Sequence, residues 1–376
     1  MRRSILLTPG PTQVPEEVLV AGAMPIMHHR TPQFEAIFAE ATKGLQYIFQ
    51  TNQPVMIFAA SGTGALESSV VNLLSPNDKV IVVVGGKFGE RWANLCKAFG
   101  LNIVQLDIPW NEVVSPSLME KTLQENPDTK AVFTTLSETS TGGVTDIEAI
   151  AKVVKQTNAI LVVDAVSGLG VVDIKTDAWG VDVVVAGSQK GLMLPPGLAF
   201  ASVSPKAMKL METAKLPKFY FDWKKALKNL EKNTTPWTPG ISLIVQLNVA
   251  LDLIKEEGLE NVFARHIRLS NAIKAGMKAL GLSIYNKSTG SACMGVLCPE
   301  GIDGDKVVKL ARDKFKVTLT GGQDELKGKI FRISTMGNVN ENDAILGIAV
   351  VERALHELGY SFELGKGVAA TLKALV

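Results

Sequence analysis

Three short segments hold residue types that could do chemistry together. In VDVVVAGSQKGLMLPPG an apolar run ends and Ser188-Gln189-Lys190-Gly191 follows at once. A lysine at the carboxyl end of a buried parallel strand sits where open α/β sheets place ligands. Burial and neighbouring positive charge lower an amine's pKa there, which favours attack on a carbonyl and imine formation. Taken alone, Lys190 reads first as a solvated loop lysine. In AILVVDAVSGLG, Asp164 closes a second apolar run. A carboxylate so placed needs a partner or water, and a helix N-cap or a metal ligand would satisfy it too. Val166 has the shape to cover one face of a flat ring, although a core valine is the default. In FAASGTGALESSVVNLL, the turn Ser61-Gly62-Thr63-Gly64 precedes a helical pattern, offering backbone N–H groups and hydroxyls to a phosphate. It is neither a Walker loop nor a dinucleotide fingerprint, and alone it marks only a capped helix start.

These segments need a frame. Apolar runs at 80–84, 131–135, 159–163, 181–185 and 198–203 alternate with helical stretches at 64–74, 89–99 and 146–156. Valine-rich runs without polar alternation predict strands buried on both faces of a mostly parallel sheet, so the fold class is α/β. Thr31-Pro32 supplies an N-cap and first-turn proline for a helix running to about residue 50. After residue 205 the pattern changes to helices at 243–257, 259–280, 301–315 and 341–358, with strand-like runs at 316–320 and 329–334. That change predicts a smaller α+β unit. The division expected is an N-terminal arm over 1–20, a large domain over 21–255 and a small domain over 256–376.

Composition excludes several classes. With 39 basic and 37 acidic residues the formal net charge is +2, which gives no concentrated positive charge for nucleic acid or a membrane surface. No apolar run approaches a membrane span. The start, MRRSILLTPGPT, stops short of a signal core and reads as a short strand or extended arm. Three cysteines, Cys96, Cys293 and Cys298, form neither a disulfide framework nor a CxxC pair, and the expected compartment is cytoplasmic. No histidine or cysteine spacing suggests a metal site. His28-His29-Arg30 reads as a polar turn, and His266 and His356 as surface or packing residues.

SGTGALE, DAVSGLG and SQKGLMLPPG, in this order, resemble the class V aminotransferases of pyridoxal-phosphate fold type I. The likeness is greatest to alanine–glyoxylate and serine–pyruvate (serine–glyoxylate) aminotransferases. It runs from LTPGPTQVPEEV through LQYIFQT to KIFRIST. It implies a large domain on a mostly parallel seven-stranded-type sheet, a smaller C-terminal α+β domain, and pyridoxal 5′-phosphate as cofactor. The implied reaction is ping-pong transamination from a small amino acid, alanine or serine, to glyoxylate or pyruvate. Lys190 would carry the cofactor as a Schiff base and shuttle the proton. Asp164 would hold the pyridine nitrogen, and Ser61, Gly62, Thr63, Thr139 and Gln189 would contact the phosphate or ring hydroxyl. Phe88, in VVVGGKFGERW, matches the ring-stacking aromatic, with Val166 opposite. Arg332, in KIFRIST, matches the arginine that grips the substrate carboxylate through paired hydrogen bonds. TPWTPGISL resembles a loop that completes the partner subunit's phosphate site, with Thr238 the expected donor and Thr235 the alternative. A homodimer with shared sites follows.

Two other readings are open at this stage. Gly290-Ser291-Ala292-Cys293 superficially resembles the catalytic loop of cysteine desulfurases, although Phe88 and Gln189 stand where those enzymes use histidine. A non-catalytic α/β binding protein is the second, and the joint presence of Lys190, Asp164 and Arg332 argues against it.

Overall fold

The computed structural model describes residues 4–290 and 292–376. In chain order its strands are β1 (Ile5–Leu6), β2 (Val55–Ala59), β3 (Lys79–Val84), β4 (Asn102–Asp107), β5 (Ala131–Thr135), β6 (Ser137–Glu138) and β7 (Gly143–Val144). There follow β8 (Ile160–Asp164), β9 (Val183–Gly187), β10 (Leu198–Val203), β11 (Met294–Leu297), β12 (Val317–Thr318), β13 (Thr320–Gly321) and β14 (Ile330–Ile333).

Seven strands form the main sheet in the order β2-β10-β9-β8-β5-β3-β4. Neighbours from β9 to β4 run parallel, while β10 is antiparallel to both β2 and β9. The expected α/β class and mostly parallel seven-stranded sheet are therefore present. All five strands expected from valine-rich runs lie in it. The two additional ones are β2, an apolar VMIFA run with a single valine, and β4, whose side chains are exposed or half-buried at the sheet edge. An edge strand needs no continuous apolar run, so β4 has no strong signal.

Alternation along the strands feeds two cores. Leu161, Val163 and Val184 pack on one face with Phe34, Phe38 and Leu45 of the helix Pro32–Phe49, and with Ile244 and Leu247 of the helix Ile241–Glu257. Val162, Val183, Val185 and Phe133 face the other way, onto Leu66 and Val70 of the helix Gly62–Leu73 and Trp92 of the helix Lys87–Ala98. Truncating fully buried Phe133 to alanine should cost about 3–5 kcal/mol. Thr31 accepts the Phe34 N–H and caps its helix, as Thr31-Pro32 predicts.

The second sheet, β11-β14-β13, is antiparallel. Its apolar side chains share a separate core with the helices Leu259–Ala279, Gly304–Asp313 and Glu341–Glu357. The N-terminal residues come to this region: β1 runs parallel to β12, pairing Ile5 with Val317. The helices Pro205–Thr213 and Trp223–Leu230, absent from the sequence reading, fill the connection after β10. Among the described residues no helix is long and apolar enough to cross a membrane.

Candidate active site

The site lies at the carboxyl ends of β8 and β9, where β10's reversal opens the sheet end to a turn. Between β9 and β10 the chain makes that turn over 188–197. Ser188 braces it, its Oγ donating to Pro195 O at 2.8 Å and accepting from Leu198 N at 3.2 Å. Lys190 sits in this turn, buried, with Nζ donating to Pro9 O at 2.6 Å. The N-terminal segment folds over it: Thr12 Oγ donates to Lys190 O and Thr12 N to Gln189 O. Burial pushes the Lys190 amine down to about 8, with Asp164 and Cys293 opposing and Arg332 and Arg91 assisting. An amine in that state is far more available as a nucleophile than a solvated lysine.

Asp164 ends β8 and is buried. Its Oδ1 accepts the Val166 N–H at 2.8 Å. Burial pushes it up to about 6, Glu138's charge acts in the same direction, and the Val166 N–H, Arg91 and Lys190 oppose. Val166 lies against the phosphate turn, since a Cβ at Gly62 would fall 2.8 Å from Val166 Cγ2. Ser61 is the N-cap of the helix Gly62–Leu73 but makes no side-chain cap bond, which leaves first-turn N–H groups open to an anion. Thr63 Oγ accepts from Arg91 Nη1 at 3.0 Å, and Gln189 Oε1 is buried without a hydrogen-bond partner among the described residues.

Phe88 lies in the first turn of the helix Lys87–Ala98, two residues earlier than the sequence pattern predicts, and Arg91's guanidinium stands 4.8 Å from its ring centroid. Thr139 is buried beside β6. Its Oγ donates to Ser167 Oγ at 2.7 Å and its carbonyl accepts from Arg332 Nη1 at 2.8 Å. Arg332, on β14, gives Nε to Gly321 O at 2.9 Å. This buried guanidinium makes no ion pair with an acidic side chain among the described residues. A buried cation without an anion is costly, and a ligand carboxylate would relieve it.

Hydrogen bonds, contacts and electrostatic proximity thus bring together Lys190, Asp164, Gly62, Thr63, Val166, Gln189, Phe88, Thr139 and Arg332. Thr238 stands apart in the same chain. It is exposed, in a loop whose Trp237 stacks on Phe219 at 5.3 Å. Thr235, the alternative, is buried with its hydroxyl committed to Trp237 O at 2.6 Å. Two neighbours escaped the sequence reading. Arg91 follows Phe88 by three residues in FGERW, one helical turn on, and becomes legible only once the helix is known to start at Lys87. Glu138 directly precedes Thr139, with no local sign of burial.

The remaining candidates are placed as follows. Cys293 is buried just before β11, and burial pushes its thiol up to about 11, the opposite of what a reactive thiolate needs. Ser291 lies outside the described residues. His266 is a packing residue, as expected. It is fully buried, its Nδ1 faces Val262 O, and its Nε2 accepts from Gly337 N. His28 Nδ1 accepts the Arg30 N–H within a turn. Among the described residues no group of three or more His, Cys, Asp or Glu is placed to hold a metal ion.

The family model "Aminotransferase class-V" matches residues 5–344. A soluble hydrogenase small subunit from Synechococcus sp. is 44% identical over 99% of this chain and 98% of its own length. An L-aspartate–glyoxylate aminotransferase from Paracoccus denitrificans is 38% identical, covering 97% of this chain and 94% of its own. A serine–glyoxylate aminotransferase from Arabidopsis thaliana is 36% identical, over 98% and 94%. Among solved structures, ureidoglycine–glyoxylate aminotransferase from Bacillus subtilis superposes with a TM-score of 0.94 at 26% identity, covering 100% of this chain and 98% of that one. Alanine–glyoxylate aminotransferase from Nostoc sp. gives 0.90 at 29%, over 94% and 96%.

Pyridoxal phosphate fits the residues present. A buried Asp164 with a single backbone donor can take a cationic ring nitrogen, and an uncapped helix start can take the phosphate.

Proposed function

We propose that this chain, which belongs to the class V aminotransferases, transfers the amino group of a small amino acid such as serine or alanine to glyoxylate or pyruvate. The observation that carries the reading is a buried guanidinium, Arg332, free of any acidic partner among the described residues and within electrostatic reach of the buried amine of Lys190. One group offers a seat for an α-carboxylate, the other a base for the α-proton. Glyoxylate is the acceptor named for both aminotransferase relatives, which favours a two-carbon keto acid here.

The enzyme is a pyridoxal-phosphate-dependent transaminase. The bound cofactor supplies the carbonyl carbon that takes up the amino group and a ring that draws electrons from the amino-acid Cα. Lys190 would hold the cofactor through its amine and, once released, move the proton from Cα. An amine with a pKa near 8 is well matched to that work at neutral pH. Asp164 would keep the ring nitrogen protonated. Gly62, Thr63, Thr139 and Gln189, with Ser61 at the cap, would contact the phosphate or the ring hydroxyl. Phe88 and Val166 would close the two faces and exclude water. Arg332 would hold the substrate carboxylate and so orient the amino acid for proton removal by Lys190.

In this reading the chain divides into an arm (1–20), a cofactor-binding unit (21–255) and a smaller unit (256–376) that brings in Arg332. The exposed Thr238 serves the phosphate of a second copy, making the working form a homodimer with shared sites. The cytosol is its compartment, in keeping with free cysteines.

The desulfurase alternative has no support from the relatives described, and Cys293 is buried with its thiol held protonated. Transamination is favoured over the hydrogenase name of one relative by the joint placement of Lys190, Asp164 and Arg332.

The test is a half-reaction screen on the purified holoprotein, following cofactor absorbance against single amino acids. Serine and alanine should bleach the visible band, and glyoxylate should restore it. A response confined to cysteine, with sulfide released, would overturn the reading, as would colourless protein that ignores added pyridoxal phosphate.

A further inference from the structure

Glu138 is a buried carboxylate to which the reaction assigns nothing. It lies in β6, just past the end of β5, and every group bonded to it is a donor. Its Oε2 accepts the N–H groups of Phe88 and Gly89, both at 3.1 Å. Its Oε1 accepts from Ser140 N at 3.2 Å and Ser140 Oγ at 2.5 Å. Ser140 Oγ in turn accepts the Lys87 N–H at 3.1 Å. The helix Lys87–Ala98 has Gly86 as its N-cap and so no capping side chain of its own. Its first three N–H groups are satisfied instead by a carboxylate and a hydroxyl from another element. That answers the helix's orphan donors and places negative charge where the helix dipole favours it. The seat is close-fitting: a Cβ at Gly86 would fall 2.5 Å from both Glu138 Cδ and Ser140 Oγ.

The helix turn capped in this way is the one that carries Phe88. The residue between the two capping side chains, Thr139, reaches the rest of the site through Ser167 and Arg332. We infer that Glu138 is a positioning residue, whose carboxylate caps the Lys87–Ala98 helix from outside and thereby sets the Phe88 ring against the cofactor. Resting on the reading of Phe88 as the stacking residue, the inference assigns Glu138 no contact with the reacting atoms. Its influence passes through the backbone of residues 87–89. Glutamine cannot replace it, because the amide NH2 would face donors on one side.

The experiment is a double-mutant cycle of E138Q and F88A in the full-length dimer-competent protein. Two quantities are read: cofactor affinity, by spectroscopic titration of the cofactor-free form, and the visible circular dichroism of the bound cofactor. E138Q should weaken cofactor binding roughly tenfold, as expected when one or two charge-assisted hydrogen bonds are lost, and shrink the dichroic band. F88A should do the same, and the double variant should be no weaker than F88A alone. Effects that add in full, or an E138Q protein with parental affinity and dichroism, overturn the inference. An F88A protein with parental affinity would overturn the stacking reading and this inference with it. Should E138Q fail to fold, S140A removes the relay to Lys87 and one of the four hydrogen bonds to Glu138, and must show the same coupling to F88A at smaller size. Additivity there is equally fatal.

Discussion

Asp164 and Glu138 are buried carboxylates at the same end of the same sheet, and their surroundings differ. The register pairs Thr135 of β5 with Asp164 of β8, so Glu138 comes three residues past Asp164's neighbour. Asp164 receives one backbone N–H, whereas Glu138 receives three backbone N–H groups and a hydroxyl. Burial raises the pKa of both. For Glu138 the folded chain itself supplies the donors that oppose it. For Asp164 most of that compensation is left to something the chain does not contain. A buried charge short of partners invites a ligand, whereas one fully surrounded by donors acts as scaffold. Arg332, buried without an acidic partner among the described residues, belongs with Asp164 on this criterion, and Thr235, its hydroxyl already bonded, belongs with the scaffold.

The largest expected effect is at Lys190. K190A should keep the fold yet lose turnover by about 10²–10⁴-fold or more, the range typical of a removed acid–base group, measured as steady-state rate with serine and glyoxylate. Wild-type-like turnover would break the distinction at its centre.

D164N should weaken cofactor binding by about 10- to 100-fold, the scale of one charged hydrogen bond. The same change should leave the cofactor-free protein more stable at neutral pH, whereas E138Q should make it less stable. The folded Asp164 sits near 6 against an ordinary 3.8, so between about pH 4 and 6 the folded form binds more protons than the unfolded one. Stability from this group therefore falls as pH rises through that window, by on the order of 3 kcal/mol in all. Thermal unfolding of the cofactor-free parent should show that fall, and D164N should lack it. A parallel pH dependence in the two proteins would remove Asp164 from the unsatisfied set.

R332A should raise KM for amino and keto acid about tenfold or more with a smaller change in kcat, because a buried guanidinium without an acid partner chiefly binds substrate. Unchanged KM would refute the carboxylate role.

The smallest effect separates the two threonines. T238V should weaken cofactor binding about 2- to 10-fold, the scale of one neutral hydrogen bond. T235V, whose hydroxyl already bonds Trp237 O, should leave affinity unchanged and lower only thermal stability. The reverse pattern would exchange their roles.

Much of this arrangement is legible in the residues themselves. Valine runs without polar alternation mark strands covered on both faces, and that is a local property of each segment. Lys190 and Asp164 follow or end such runs, so their place at the sheet end can be read directly, whereas the Ser61–Gly64 turn follows β2, which no valine run marks. Arg332 is read by resemblance, since a lone arginine in IFRIST has no distinguishing spacing.

What only the tertiary structure decides involves partners far apart in the chain. The reversal of β10 depends on which neighbours it pairs with, and apolar composition is silent about direction. The Pro9 carbonyl on Lys190 lies 181 residues away in sequence, and Glu138 caps a helix 50 residues before it. Whether a carboxylate is satisfied depends on donors that converge only after folding. The residue types thus nominate Asp164 and Lys190 for chemistry. The count of hydrogen bonds around each carboxylate, a property of the folded chain alone, separates the ligand-directed Asp164 from the scaffold-directed Glu138.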